Sequence, residues 1–257
     1  MKTTLSIIVI LLLSACHSFA QAGKTRYIVN QQHLWGSATA ALDINPRWML
    51  HLELQERRAE IGEDIQQHLS RVGLMRRLDD KHLLGGGYAF VHTAAYGELP
   101  AKFPFDEHRV WLQFQSKEQL KSFGLTHRLR FEFRHLDPAR TSRNEFRFRY
   151  YFRLQHPLIK GEKHQLYGVL QDEVFVNMGV KVAYNFFDQN RASALLGFKV
   201  NKHLNIEAGY LNQYLLQRSL NADFQNKIEN NHTALLALTW SGSLRKPAQQ
   251  PTDTEKK

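Results

Sequence analysis

The sequence predicts an all-β fold, a transmembrane antiparallel up-and-down β-barrel of about 10–12 strands with twelve favoured. Three observations lead to this prediction. Segments in which apolar and polar residues alternate recur along the chain, and a period of two is typical of strands. Two consecutive segments, 125–136 and 145–155, have the length of about ten residues that a tilted strand needs to cross a bilayer. In both of them one face is aromatic and aliphatic, whereas the other is mostly arginine.

The first of these two segments indicates a strand rather than a helix. In 125–136 the apolar face carries Phe131 and Phe133, and the opposite face carries Arg128 and Arg130. A helix would spread these arginines around its whole circumference. The alternative is a long amphipathic hairpin of a soluble sheet whose charged face is solvated. The remaining segments favour the barrel because they repeat the same contrast between faces.

The N-terminal residues 1–20 have the pattern of a secretory signal peptide. Lys2 precedes an apolar run at 5–15, and small residues lead to a cleavage site after Ala20. A competing interpretation takes residues 13–16 as a bacterial lipoprotein box in which Cys16 is lipidated. The first interpretation is favoured because the residues after the cysteine are not the usual small polar ones. Both predict export to the bacterial outer membrane and a mature chain without disulfides.

Eleven segments alternate clearly enough to be predicted as strands, and together they place the barrel in 33–240. Turns such as 43–46, 79–80 and 201–202 separate them, because Asp and Asn side chains there can satisfy local backbone groups. The predicted strands lie at 33–42, 48–57, 66–77, 83–92, 107–115, 125–136, 145–155, 164–175, 191–200, 203–216 and 230–240.

The two ends of the mature chain flank this barrel. Residues 21–32 form a polar N-terminal segment with a possible extra strand at 25–30. Residues 241–257 form a polar, proline-containing tail that we expect to be disordered.

The expected number of strands, odd or even, depends on which side of the membrane the first strand begins. Connections alternate between short and longer ones, as they do in barrels with tight periplasmic turns and larger external loops. If the short turns are periplasmic, the strand at 33–42 runs inward from the outside. An N-terminus delivered from the periplasm then needs one more strand, which favours twelve with the extra one at 25–30. Ten strands result if one weak segment is a loop.

The triple glycine at 85–87 has two interpretations. A phosphate-binding loop would continue with Lys-Ser or Lys-Thr into a helix, and neither feature is present. We therefore predict a strand that is bent, or closely approached by other groups, at these glycines.

Overall charge and hydropathy exclude two classes of protein. The mean hydropathy of −0.44 excludes a helical membrane protein. The net charge of +10 would suit a nucleic-acid-binding protein. Here, however, the basic residues alternate with apolar ones inside strands instead of forming a basic run or helix, so we expect no nucleic-acid partner.

Seven short motifs occur in a fixed order along the chain: Glu53-Leu54-Gln55-Glu56-Arg57-Arg58, Gly86-Gly87-Tyr88-Ala89, Glu107-His108-Arg109-Val110-Trp111, His127-Arg128-Leu129-Arg130-Phe131-Glu132, the arginine-rich 147–153, Asp188-Gln189-Asn190-Arg191 and Glu207-Ala208-Gly209-Tyr210-Leu211. In this order they resemble the motifs of a bacterial family, the domain of unknown function numbered 2490, whose members are presumed to be outer-membrane barrels of Bacteroidetes. The resemblance covers about 33–240. It implies a barrel in the outer membrane, and it supplies no activity.

If the apolar faces meet lipid, the charged faces line the lumen. Arg and Glu on neighbouring strands can pair across a sheet, and one guanidinium can hold two carboxylates. We therefore predict a lumen filled by an ion-pair network with a structural or binding role. A narrow anion-preferring pore is the alternative, and strand number does not decide between them. The predicted network is Glu53, Arg57, Arg71, Glu107, Arg109, Arg128, Arg130, Glu132, Arg134, Arg147, Arg149, Arg153, Glu173 and Glu207.

No catalytic constellation is evident in the sequence. The serines show no spacing that nominates a triad, and a triad is recognised by geometry. The histidines are scattered: His127 and His135 share a face but lie about 27 Å apart at the usual strand rise. We expect no metal site, no cofactor and no enzymatic activity, with a lipid-modifying outer-membrane enzyme as the least favoured alternative.

Surface residues suggest how the barrel would sit in a membrane. Trp35, Trp48 and Trp240 suit the aromatic girdles at the two interfaces. The surplus of Lys and Arg suits an outer leaflet of phosphorylated lipid. The expected partners are outer-membrane lipid, lipopolysaccharide and, during insertion, the barrel-assembly machinery.

Overall fold

The structure is a computed structural model that describes residues 26–97, 103–138, 142–161, 165–179, 186–220 and 225–244. The predicted signal peptide, including Cys16, lies outside the described residues. The predicted tail does so from residue 245 onward, whereas its first residues continue the last strand.

Eleven long strands make up almost all of the described chain. Neither a covering layer of helices nor a second sheet accompanies them in the described residues; the one helical element is a single 3-10 turn, Glu60–Gly62. No helix in this part of the chain has the length and hydropathy needed to span a bilayer. The strands are β1 (Arg26–Asp43), β2 (Trp48–Ala59), β3 (Asp64–Arg77), β4 (His82–Thr93), β5 (Phe105–Leu120), β6 (Phe123–Pro138), β7 (Arg143–Lys160), β8 (Gln165–Met178), β9 (Phe187–Lys199), β10 (Leu204–Leu220) and β11 (Asn226–Ser243).

The strands close into one up-and-down barrel, which confirms the predicted all-β barrel. Each strand pairs antiparallel with its neighbours in sequence, and β1 closes the barrel by pairing parallel with β11. This parallel seam is continuous from the Arg26–Asn226 pair to the Asp43–Ser243 pair. Since β1 and β11 run the same way, the described chain begins at one end of the barrel and finishes at the other.

The barrel has eleven described strands instead of the favoured twelve. Of the predicted extra strand at 25–30, the described residues 26–30 belong to β1 and do not form a strand of their own. No turn separates them from 33–42, and inward and outward residues alternate without a break from one segment to the other. Val29, His33 and Trp35 consequently lie on the inner face of a single strand. Parallel closure makes an odd number of strands possible.

Every connection longer than four residues lies at one end of the barrel, although two connections at that end, 60–63 and 139–142, are as short as the turns at the other end. One end, named here the long-loop end, carries the connections 60–63, 94–104, 139–142, 179–186 and 221–225. The other, the short-turn end, carries 44–47, 78–81, 121–122, 161–164 and 200–203.

Three of the short turns are held by an Asx side chain, as the turn residues predict. Asn45 Oδ1 accepts hydrogen bonds from two backbone amides at 2.9 Å. Asp79 and Asn201 accept equivalent pairs at 2.8–2.9 Å. The His82 side chain and these backbone amides hold the pKa of Asp79 below its usual value.

The two faces of the sheet differ sharply in polarity. On β6, Arg130 and Glu132 point inward and are each 1% exposed, whereas Phe131 between them is 52% exposed on the outside. The outer face carries exposed apolar side chains on every strand, and the inner face carries the charged ones. The barrel is therefore apolar outside and charged inside, the reverse of a soluble barrel.

Glycines allow one large ring to lie flat inside the barrel. Trp111 of β5 is 1% exposed, and its ring extends over Gly87 on the adjacent strand β4 and Gly73 on β3, the next strand along. A Cβ at Gly73 would collide with this ring, and one at Gly87 would come within 2.9 Å of it. The predicted close approach to the glycines of β4 is confirmed.

We expect Gly73→Ala to lower the free energy of unfolding by about 1–3 kcal/mol, because the enclosed Trp111 ring has no space to withdraw. The matched control is Gly36→Ala, since the nearest heavy atom to a Cβ there lies 3.9 Å away. Urea unfolding of the refolded protein, followed by tryptophan fluorescence, measures both changes. Equal effects of the two substitutions would contradict the packing described here.

Candidate functional site

The lumen holds a dense set of charged side chains, and all fourteen residues predicted to face inward lie there. Most of them are buried. Glu53, Arg128, Arg153 and Glu207 are somewhat more accessible, with side chains 11–20% exposed. Most of these charges occur in direct Arg–carboxylate contacts across two or more strands.

Glu132 is the centre of the network. Its carboxylate accepts hydrogen bonds from Arg147 Nη2 at 2.6 Å and Arg149 Nη1 at 2.7 Å. Arg130 Nη1 lies 4.0 Å away. Arg149 also donates to Glu173 at 2.8 Å, and Arg128 reaches the same carboxylate at 2.8 Å. One guanidinium therefore joins two carboxylates, as its planar fork allows.

A second group surrounds Glu107, which is 1% exposed. Arg134 binds this carboxylate through both Nε and Nη2, at 2.5 and 2.9 Å, and Arg109 Nη2 donates to it at 2.9 Å. Arg134 Nη1 also lies 3.5 Å from Glu145. Such two-pronged contacts fix the orientation of both partners.

Two further pairs extend the network towards the short-turn end. Arg71 contacts Glu53. Arg153 donates to Glu207 at 2.7 and 3.0 Å, and the Tyr167 hydroxyl donates to the same carboxylate at 2.8 Å.

Two β-bulges bring unpredicted side chains into the lumen. Where β9 pairs with β8, Phe175 faces Gln189 and Val176 faces Phe187, so Asp188 is the extra residue. Asp188 turns inward and accepts from Arg147 at 3.0 Å. The sequence analysis left 188–190 in the connection before the predicted strand 191–200, because a bulge breaks the period of two on which the prediction relied. Only the abundance of polar residues there could have signalled it.

Trp35 lies inside the barrel, not at a membrane interface as predicted. It is 6% exposed, and its Nε1 donates to Gln66 Oε1 at 2.8 Å. Gln66 is the extra residue of the second bulge, where β3 pairs with β2. The guanidinium carbons of Arg57 and Arg191 lie 4.3 and 5.0 Å from the centre of the Trp35 ring. Trp35 alternates in phase with the inward residues Val29 and His33 of the same strand. The prediction rested on residue type alone and did not use this alternation.

The other two predicted interface tryptophans lie on the outside near the short-turn end. Trp240 is 46% exposed and stacks on His203 with 5.4 Å between ring centres. Trp48 is half-buried beneath Arg76, whose guanidinium carbon is 5.8 Å from the ring centre.

The lumen contains a chamber of about 770 Å³. The residues that line it extend from Tyr96, in the connection 94–104 at the long-loop end, to Ala237 on β11. Burial and the nearby Glu229 carboxylate raise the pKa of the Tyr96 hydroxyl. Most of the charged network lines this chamber.

Two clusters of buried apolar side chains line the lumen on the short-turn side of the chamber. One cluster consists of Met75, Ala89 and Trp111, with Met49 and Leu83 against it. A second consists of Tyr167, Val169 and Leu195, with Leu235 against it. We call these two clusters the floor of the chamber. Neither the floor nor the rest of the described structure contains a group of three or more metal-ligating side chains that could hold an ion.

Comparison with known proteins identifies the family. A family model described as "Protein of unknown function (DUF2490)" matches residues 32–223, from within β1 to three residues beyond β10. The chain belongs to the DUF2490 family. The predicted resemblance is thereby confirmed. No curated protein and no solved structure matches the DUF2490 chain.

Proposed function

We propose that this barrel is embedded in the bacterial outer membrane, with a lumen closed on the short-turn side and a structural or binding role. The observation that carries the proposal is the distribution of polarity over the two faces. Apolar side chains such as Leu112 (64% exposed) and Leu196 (58%) face outward on every strand. A soluble monomer rarely exposes apolar patches beyond a few hundred Å², whereas lipid would cover this surface.

The height of the apolar band supports the same proposal. His127 and His135 both lie on the outer face of β6, near opposite ends of the band. They are about 27 Å apart along the strand, and a tilt of about 35–45° reduces the height to about 20 Å. Outer-membrane barrels have an apolar band of about 25 Å.

Amphipathic rings border this band at both ends. On the short-turn side, His82 and His203 stack on Phe114 and Trp240. On the long-loop side, His108 lies beside His135 with 6.5 Å between ring centres. Rings with a polar tip suit the boundary between hydrocarbon and water, where phosphorylated outer-leaflet lipid and lipopolysaccharide would contact them.

The floor of the chamber supports a closed barrel over an open pore. Trp111 fills the space left by two glycines, and the second cluster fills the opposite wall. Apolar side chains that project from opposite walls at this level favour a lumen that is closed there.

Three measurements on the refolded mature chain test the proposal. We expect it to require detergent or lipid for solubility, to remain with vesicles after alkaline carbonate washing, and to give no discrete conductance steps in planar bilayers. A monomer that dissolves without detergent would overturn the membrane assignment. Discrete steps would overturn the closed lumen.

A narrow anion-preferring pore is the second candidate, because more cations than carboxylates line the chamber. This function requires the floor to open. It would give anion-selective conductance steps that collapse when Arg130 or Arg149 is replaced by glutamate.

A further inference from the structure

Two arginines in the chamber wall differ from the others in having no carboxylate partner. Nine of the lining arginines lie within 4.0 Å of a carboxylate oxygen: Arg71, Arg109, Arg128, Arg130, Arg134, Arg143, Arg147, Arg149 and Arg153. Arg57 and Arg191 have no such contact among the described residues. They are also the two that lie over the ring of Trp35.

The polar contacts of this pair are all to neutral amides. Arg57 donates to Gln67 at 2.7 Å and to Gln55 at 2.6 Å. Arg191 Nε donates to Gln189 at 3.0 Å. An amide oxygen can accept a hydrogen bond, but it cannot neutralise a guanidinium. Two positive charges therefore flank Trp35 without a carboxylate in contact, although buried charges are normally paired directly; Glu53 and Glu173 act on them only from beyond contact distance.

Two polar atoms beside the pair have no hydrogen-bond partner among the described residues and are available to a ligand. Arg57 is 7% exposed, and its Nε has no acceptor within the described structure. Ser193, two residues beyond Arg191 on the same face of β9, is also 7% exposed, and its hydroxyl lacks a partner there. Both residues line the chamber. A hydroxyl and two guanidinium groups are donors that an oxyanion accepts from.

We propose that the chamber binds a small organic anion, whose phosphate or carboxylate group contacts Arg57, Arg191 and Ser193 and whose remainder lies among the neighbouring aromatic rings. The rings of Phe175 and Trp35 line the chamber next to these charges, with their centres 4.7 and 5.0 Å from the Arg191 guanidinium carbon. The volume of about 770 Å³ lies in the range of small-molecule sites. This inference rests on the proposed binding role of the closed lumen and assigns its ligand class.

The test uses the refolded mature chain in detergent micelles at constant ionic strength. Phenyl phosphate and benzoate are the organic probes, inorganic phosphate tests the oxyanion without a ring, and benzylammonium is the cationic control. Titration calorimetry should give saturable binding of phenyl phosphate or benzoate, weaker binding of inorganic phosphate and none of benzylammonium. The stronger of the two organic probes identifies the anionic group that the site prefers.

Arg191→Gln is the decisive variant, because it removes a charge that no carboxylate in the described structure contacts. We expect affinity for the preferred probe to fall about 10- to 100-fold, the worth of a charge-assisted hydrogen bond. The free protein should be as stable as the wild type or more so, since an uncompensated charge is lost. Arg57→Gln should weaken binding similarly. The matched control is Arg143→Gln, another lining arginine that already pairs with Glu145 at 2.9 Å; it should leave affinity unchanged.

Two results would overturn the inference. One is that no anionic probe binds. The other is an equal loss of affinity in the Arg191 and Arg143 variants, because the probes would then respond only to the total positive charge of the lumen. Conductance and vesicle association are measured on the same preparation. A silent, membrane-bound barrel that binds no anion overturns this inference alone. If the barrel conducts and its affinity for the probe depends on Arg191, only the proposal of a closed lumen is overturned.

Discussion

Replacing Glu132 by glutamine is expected to lower the free energy of unfolding of the barrel by about 3–5 kcal/mol. Glu132 is 1% exposed and accepts hydrogen bonds from both Arg147 and Arg149. Glutamine has nearly the same shape but no charge, so two buried guanidinium groups would lose their shared counter-charge. Equilibrium unfolding in urea, in lipid vesicles at neutral pH, measures the loss.

The matched control is Glu118→Gln on the neighbouring strand β5, where the side chain is exposed. It should change stability by less than about 0.5 kcal/mol. The double variant Glu132→Gln with Arg149→Gln should be less destabilised than the sum of the single changes, because removing the second charge relieves part of the imbalance. Additive effects, or a Glu132 effect no larger than that of Glu118, would mean that the lumen is hydrated enough to screen these charges.

Replacing Phe131 by arginine is expected to cost about 2–4 kcal/mol when the protein is folded in a bilayer. Phe131 is 52% exposed near the middle of the outer face of β6. At that depth a guanidinium would lie in hydrocarbon without water or a counter-ion. Unfolding in vesicles again measures the change.

The control for depth in the membrane is a substitution at His135, on the same strand and the same face as Phe131. His135 lies four residues from Phe131, towards the long-loop end, and bonds Asn144 at 2.7 Å on the outer surface. His135→Arg should cost about 0–1 kcal/mol, because a side chain near the interface reaches water. In a soluble barrel both arginines would be solvated, so equal and small effects would contradict the membrane assignment.

Much of the fold could be predicted because strand alternation is a local property. The contrast between Phe131 and Arg130 already indicated opposite environments for the two faces, and the turns at Asn45 and Asp79 follow from side chains that bond their own backbone. The inward placement of Glu107 and Arg149 follows from the same alternation. These predictions needed only the period of two.

Other features could not be predicted because they depend on how distant strands align. The inward positions of Asp188 and Gln66 result from bulges, which are visible only when the partner strand is known. Trp35 was assigned to the surface on residue type, although its position in β1 places it against Arg57 and Arg191. Neither arginine could be recognised as lacking a carboxylate partner until every pair in the lumen was known.

The sequence by itself determined that strands of this chain have one apolar and one arginine-rich face, because side-chain direction alternates along any strand whatever its neighbours are. The tertiary structure alone decided that eleven strands close through a parallel seam between β1 and β11, and which arginine meets which carboxylate. Closure and register fix the distances between side chains far apart in sequence. Ion pairing depends on those distances and not on the order of residues along any one strand.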